Sequence, residues 1–161
     1  MRGTQNTQRP VFALKGAAGP FALATSAGLA TALFWHFAID PWLRVKTPEN
    51  YPATMAQWLA MALFSLGLKQ LFFVFAPFAW LIRLFGKKAP AFILTVAFGL
   101  AVILIREYRL PSPMLAEPFF LGLLALRGAA EAFSVYFYLR GGVLLVWWWE
   151  LLFQSRHFLS W

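Results

Sequence analysis

The stretch Lys69–Leu104, KQLFFVFAPFAWLIRLFGKKAPAFILTVAFGLAVIL, decides the fold class. It joins two apolar runs through the basic turn Gly86-Lys87-Lys88, and Pro90 opens the second run. Proline suits a helix start, where the first N–H groups have no intrahelical acceptor anyway. A helix rising ~1.5 Å per residue needs about 20 apolar residues to cross a bilayer. Working outward, the long apolar runs are about Phe21–Ile39, Thr54–Phe85, Ala91–Ile105 and a stretch from near Glu117-Pro118 to Leu139. A shorter Trp-rich segment, Val143–Phe153, follows them. Period-two alternation is absent, which argues against a membrane barrel. The expectation is an all-α polytopic membrane bundle of four to five membrane segments, with residues 1–161 forming one domain.

Composition points the same way. The chain is 61% apolar and 12% charged, far from the soluble average of about 25% charged. Eight Trp and 18 Phe exceed what interfacial belts require, so rings are expected to pack against protein, lipid or pigment. The absence of Cys excludes disulfides, Cys-ligated metals, iron–sulfur clusters and thiol catalysis. The net charge of +8 comes from basic residues scattered among the spans without a basic stripe. That pattern sets topology and meets anionic lipid; it does not read as a nucleic-acid surface.

Local signals place the breaks. Residues 1–19 carry Arg2, Arg9 and Lys15 without an acid and read as an interfacial arm. Asp40-Pro41 is expected to end the first span, because proline disfavours helix in the residue before it. Thr54–Phe85 is too long for one upright crossing, so Pro77 is expected to kink it and turn Phe78–Phe85 along the membrane surface. Arg106-Glu107-Tyr108-Arg109 leaves the bilayer, and Pro111-Ser112-Pro113 prevents continuation. Gly141-Gly142 breaks the chain before Val143–Phe153, which either crosses or re-enters. With the N-terminus cytoplasmic, that side holds Arg2, Arg9, Lys15, Arg83, Lys87, Lys88 and Arg140, against Arg44, Lys46, Arg106, Arg109 and Arg156 opposite. The bias favours that orientation, and a bacterial inner membrane is the expected location.

Charges inside spans cost about 2.5–3.5 kcal/mol each on insertion scales, so Lys69, Arg127, Glu131 and Glu150 are functional-site candidates. Arg127 and Glu131 stand four apart on one helix and are expected to pair. His36 and His157 are the only imidazoles, and this topology puts them on one side of the membrane. Such a pair could ligate haem or chlorophyll magnesium, although interfacial His needs no cofactor. No other metal site is expected, and bound lipid is. Ala24, Gly28 and Ala32 form a small-residue ladder that lets another helix approach closely. Trp147, Trp148 and Trp149 cannot share one helix face, since successive residues lie about 100° apart. Ladder and tryptophans are therefore read as candidate interfaces.

Three patterned positions carry a resemblance. Lys69-Gln70-x-x-x-Val74 lies on the second run, Phe98-x-x-x-Val102 on the third, and Glu150-x-x-x-Gln154 on the last, after the turn Tyr138-Leu139-Arg140-Gly141-Gly142. Over about Leu59–Gln154 this order resembles the CPBP family, the CAAX-prenyl-protease and bacteriocin-processing group of intramembrane proteases. The corresponding family motifs are Glu-Glu-x-x-x-Arg, Phe-x-x-x-His and His-x-x-x-Asn, the last following a Tyr-Leu-Arg-x-Gly turn. The resemblance implies that the first and last of these helices converge. Lys69 and Glu150 would then bridge, with Gln70 and Gln154 as hydrogen-bond partners, and a structural polar knot would replace the catalytic centre. Peptide hydrolysis needs a carboxylate base and groups that stabilise the developing charge. Lys69, Gln70, Val74 and Val102 supply no base, so no catalytic residue is expected and the chain reads as a pseudo-protease. Its expected role is that of an accessory subunit stabilising a larger membrane complex, of respiratory or photosynthetic type. Residual CPBP-type peptidase activity and a pigment- or haem-binding subunit are the alternatives. A transporter would need polar residues spread along a pathway, which four charges able to pair off do not provide.

Overall fold

The computed structural model of the protein describes residues 18–109 and 118–160, with side chains to Phe158. Arg2, Arg9, Lys15, Pro111-Ser112-Pro113 and Glu117 lie outside the described residues, while Ala18 and Gly19 already belong to the first helix. The described residues are helical throughout apart from short connections, with no strand. Four helices are long and apolar enough to cross a membrane: Ala18–Lys46, Met55–Phe85, Lys88–Arg109 and Phe120–Phe158. This is an all-α helical bundle and an integral membrane protein. Its outer surface fits that medium, for Phe37, Ile93 and Leu121 stand 72%, 64% and 74% exposed.

The first two helices continue through their prolines, so Asp40-Pro41 does not end the first one as expected. Helix α1 (Ala18–Phe34) runs through a π-helical turn, Trp35–Ile39, into α2 (Asp40–Lys46), which holds Pro41 in its first turn. Likewise α3 (Met55–Phe64) continues through π-turns Ser65–Lys69 and Leu71–Phe75 into α4 (Ala76–Phe85), with Pro77 in its first turn. A proline inside an α-helix lacks a donor and its ring strikes the carbonyl four residues back. Widening the preceding turn relieves that clash. Asp40 N–H reaches back to Trp35 O and Ala76 N–H to Leu71 O, both five residues away. Phe78–Phe85 therefore continues the second helix without a break.

Helix ends follow ordinary capping chemistry. Thr54 Oγ1 accepts from Gln57 N–H at 3.2 Å, while Gln57 Oε1 accepts from Ala53 N–H at 2.7 Å, a reciprocal cap at the start of α3. Gly86 closes α4 in the left-handed conformation at φ 65°, its N–H donating to Ile82 O at 2.9 Å. Helix α5 spans Lys88–Arg109, so Arg106–Arg109 form its last turn.

Helix α6 (Phe120–Gln154) carries the decisive turn. At Gly142 the backbone adopts φ 70°, ψ −159°, a conformation essentially reserved for glycine. On a straight helix Phe133 and Trp149 would lie ~24 Å apart along the axis. Their rings are instead 5.2 Å apart, and Phe137 meets Trp149 at 5.5 Å. The chain thus reverses at Gly142, and Val143–Gln154 runs back beside Phe120–Gly141. Phe153 ends in one cluster with Trp35, Leu43 and Leu123, so the returning arm regains the level where the first span ends. It makes a fifth segment, beginning at the glycine pair the sequence marks.

That arm also decides what the small-residue ladder is for. Ala24, Gly28 and Ala32 are buried, and Ala24 joins a core cluster with Phe137, Leu145, Val146 and Trp149. A Cβ added at Gly28 would stand 2.9 Å from Leu152 Cβ, too close for any real side chain. The ladder seats the chain's own last segment and leaves no face for an outside helix. A second cluster, Val74, Phe78, Leu81, Ala91 and Val135, ties α4 and α5 to the outgoing arm of α6.

Candidate functional site

Glu150 projects from the returning arm of α6 into the bundle and is 2% exposed. The π-turn Ser65–Lys69 faces it. Because i→i+5 bonding winds more residues into a turn than an α-helix does, Ser65, Lys69 and Gln70 come onto one face. Their polar atoms converge on one carboxylate. Glu150 Oε1 accepts from Ser65 Oγ, from Lys69 Nζ at 3.3 Å and from Gln154 Nε2 at 2.9 Å. Glu150 Oε2 accepts from Gln70 Nε2 at 2.9 Å. Gln154 Nε2 also donates to Ser65 Oγ at 3.1 Å, closing the ring. A buried carboxylate is tolerable when its lone pairs are filled and one counter-charge is in contact. Here four donors reach the two oxygens, three of them at Oε1, and Lys69 is the counter-charge.

Of the positions the sequence singles out, Lys69, Gln70, Glu150 and Gln154 meet in this knot. Ser65 completes it and was not foreseen; the only signal was a hydroxyl four and five residues before Lys69 and Gln70 in an apolar run. The remaining motif positions lie elsewhere. Val74 belongs to the α4–α5 core cluster, Phe98 is 45% exposed and pairs with Phe73 at 6.4 Å, and Val102 is half-buried. Glu131 is buried, within electrostatic reach of Lys69 and Glu150, and its Cγ would lie 3.6 Å from a Cβ at Gly99.

The expected Arg127–Glu131 pair does not form. Arg127 Nη1 turns to Glu107 Oε1 of α5 at 3.7 Å, and Arg106 holds the same oxygen at 3.1 Å. Spacing within one helix says nothing of a competing carboxylate on the next, and Glu107 stands beside Arg127 across the α5–α6 contact.

A second polar cluster lies where the first and last spans end. Asp40 is 1% exposed; its Oδ1 accepts from the Tyr51 hydroxyl at 2.9 Å, and its Oδ2 lies 3.3 Å from Arg156 Nε. Arg156 Nη1 donates to Phe153 O at 2.9 Å, and its guanidinium lies 4.0 Å over the Phe153 ring. Arg44 stacks on Tyr51 at 5.0 Å. Burial and the neighbouring Asp40 carboxylate raise the Tyr51 hydroxyl well above its ordinary range, so it stays a donor. His157 is buried with its ring 5.5 Å from Tyr51, and His36, packed on Phe37 at 4.8 Å, lies within electrostatic reach of it. The two histidines thus lie toward one end of the bundle. Among the described residues no group of three or more His, Asp or Glu side chains is placed to hold a metal ion.

The three tryptophans divide as successive helical residues must. Trp149 is fully buried, Trp147 and Trp148 are 43% and 37% exposed, and Trp148 Nε1 donates to Thr25 Oγ1 at 2.8 Å. Trp58 Nε1 donates to Gln154 O at 3.0 Å and so satisfies a carbonyl at the end of α6. Trp147 lines an open apolar groove of about 590 Å³ with Leu63, Gly67, Leu71 and Val143.

No family model, curated protein or solved structure matches this chain.

Proposed function

We propose that the protein is a non-catalytic membrane subunit, built like a CPBP-type protease from which the catalytic groups have gone, that stabilises a larger membrane complex by lateral packing. The observation that carries this reading is the enclosure of Glu150, which is buried with both oxygens hydrogen-bonded. A carboxylate that activates water needs access to that water. Glu150 has both oxygens engaged and is buried, and its neighbours are a lysine, two amides and a hydroxyl. The knot locks the second span to the last arm, as a structural element would.

Lateral packing then falls to the surface around Trp147 and Trp148. Gly67 borders the groove there, and a Cβ added to it meets nothing within 4 Å. Small residues and aromatic rings are what helix association in lipid uses. A respiratory or photosynthetic assembly in a bacterial inner membrane, with the N-terminus cytoplasmic, is the setting we favour, with lipid filling the remaining apolar surface.

Gly67→Leu and Gly28→Leu together test the reading. Gly67→Leu is expected to leave the isolated bundle folded and to shift the protein from a large complex to free protein on native gels of its own membranes. Gly28→Leu is expected to disrupt the bundle itself. A wild-type chain that runs as a free monomer in native membranes overturns the subunit reading. Peptide cleavage by the purified protein that Glu150→Gln abolishes overturns the non-catalytic one. A haem or chlorophyll absorption band in pure protein would replace it with a pigment-binding role through His36 and His157.

A further inference from the structure

The cluster at the ends of the first and last spans is built unlike the Glu150 knot. Its acid, Asp40, is already divided between Tyr51 and Arg156, while Arg44 brings a second guanidinium. Arg44 Nε and Nη2 are buried, and among the described residues no acceptor reaches either of them. These two nitrogens form the side-on fork of a guanidinium, whose parallel N–H bonds match two oxygens of one anion. The Tyr51 ring at 5.0 Å holds the guanidinium plane, so the fork is fixed before anything arrives. His36 Nδ1, in the same neighbourhood, is also buried without a hydrogen-bond partner. Buried donors left unfilled are costly, and such groups are normally satisfied.

We propose that this cluster is a binding site for a phosphate-type oxyanion, with the Nε–Nη2 edge of Arg44 as its fork, Arg156 as supporting charge and His36 at its margin. The site lies where the span reaches Lys46 and the chain leaves for the 47–54 connection, the level at which lipid phosphates lie. A phospholipid headgroup and a free phosphate share this chemistry. The site stands whether or not the chain has a partner subunit.

Native mass spectrometry of the full chain in detergent tests it, with phosphatidylglycerol, diacylglycerol (the same tails without phosphate) and inorganic phosphate as probes. Wild type is expected to retain phosphatidylglycerol about tenfold better than Arg44→Gln does, and diacylglycerol equally poorly in both. Arg44→Lys, which keeps the charge and loses the fork, is expected to behave like Arg44→Gln, and it carries the test should the glutamine variant fail to fold. Inorganic phosphate that binds wild type alone, without a lipid preference, assigns the same fork to a free anion. Equal retention of phosphatidylglycerol, and of inorganic phosphate, by wild type and Arg44→Lys overturns the proposal.

Discussion

Two of the buried carboxylates in this bundle, Glu150 and Asp40, are completed differently. Glu150 sits inside the bundle among Ser65, Gln70 and Gln154, neutral donors that fill its oxygens, with Lys69 as the single counter-charge. Asp40 sits at the end of a span between a hydroxyl and a guanidinium, and the surrounding donors outnumber the acceptors. The first group is closed around its carboxylate, and one amide oxygen beside it, Gln70 Oε1, stays without a hydrogen-bond partner. The second is open on its cationic side. A polar cluster in a membrane protein is therefore better judged by what remains unpaired than by how many charges it gathers.

The largest expected effect breaks the closed cluster. Glu150→Leu leaves Lys69 inside the bundle without its counter-charge and should destabilise the fold by about 3–5 kcal/mol, read from reversible unfolding in mixed micelles. An effect under ~1 kcal/mol would mean that Lys69 escapes to the surface through its 33% exposed side and that the knot is not a lock. In the open cluster, Arg156→Met leaves Asp40 with Tyr51 alone and should cost about 1–3 kcal/mol, less than the first because Asp40 keeps a bond. Equal costs would erase the distinction between the two sites.

Tyr51→Phe removes one bond to a carboxylate and should cost roughly 1.5 kcal/mol at neutral pH. Its pH dependence has a definite sign. The folded Tyr51 hydroxyl titrates above its ordinary value of about 10, so its contribution is complete below that pH. It declines as pH rises past 10, where the unfolded chain ionises first. Stability difference between wild type and Tyr51→Phe, followed from pH 8 to 11, should shrink at the alkaline end; a constant difference contradicts the assignment. The smallest effect provides a scale: Thr25→Val removes the acceptor for Trp148, a neutral bond at a half-exposed ring, and should cost about 0.5 kcal/mol.

Much of this architecture was legible in the residues. Apolar run lengths marked the spans, and the pair Gly141-Gly142 marked the reversal because backbone φ above zero needs glycine. What failed had local physical reasons. Pro41 reads as a break and Pro77 as a kink because a regular α-helix cannot absorb a proline; a π-turn can, and nothing in the composition of WHFAI or LFFVF announces one. Arg127 was paired within its own helix because sequence offers only intrahelical distances, whereas Glu107 reaches it across a helix contact. The ladder Ala24/Gly28/Ala32 correctly signalled close approach, but no spacing rule could say that Leu152 of the same chain fills it. The Lys69–Glu150 contact came from a resemblance in motif order. Without it, residues 81 positions apart carry no mutual signal.

That separation has a consequence for biosynthesis. Lys69 enters the membrane with the second helix, yet its counter-charge lies 81 residues later, on the last arm of the chain. At translation rates of about 5–20 residues per second, the wait is roughly 4–16 s. During that interval the lysine must hold its ammonium at the water boundary or lean on the insertion machinery. Only when the chain has doubled back at Gly142 can it move inward. The bundle is thus locked from its C-terminal end, and a ribosome that stops short of Glu150 would release a chain whose second helix still lacks its partner.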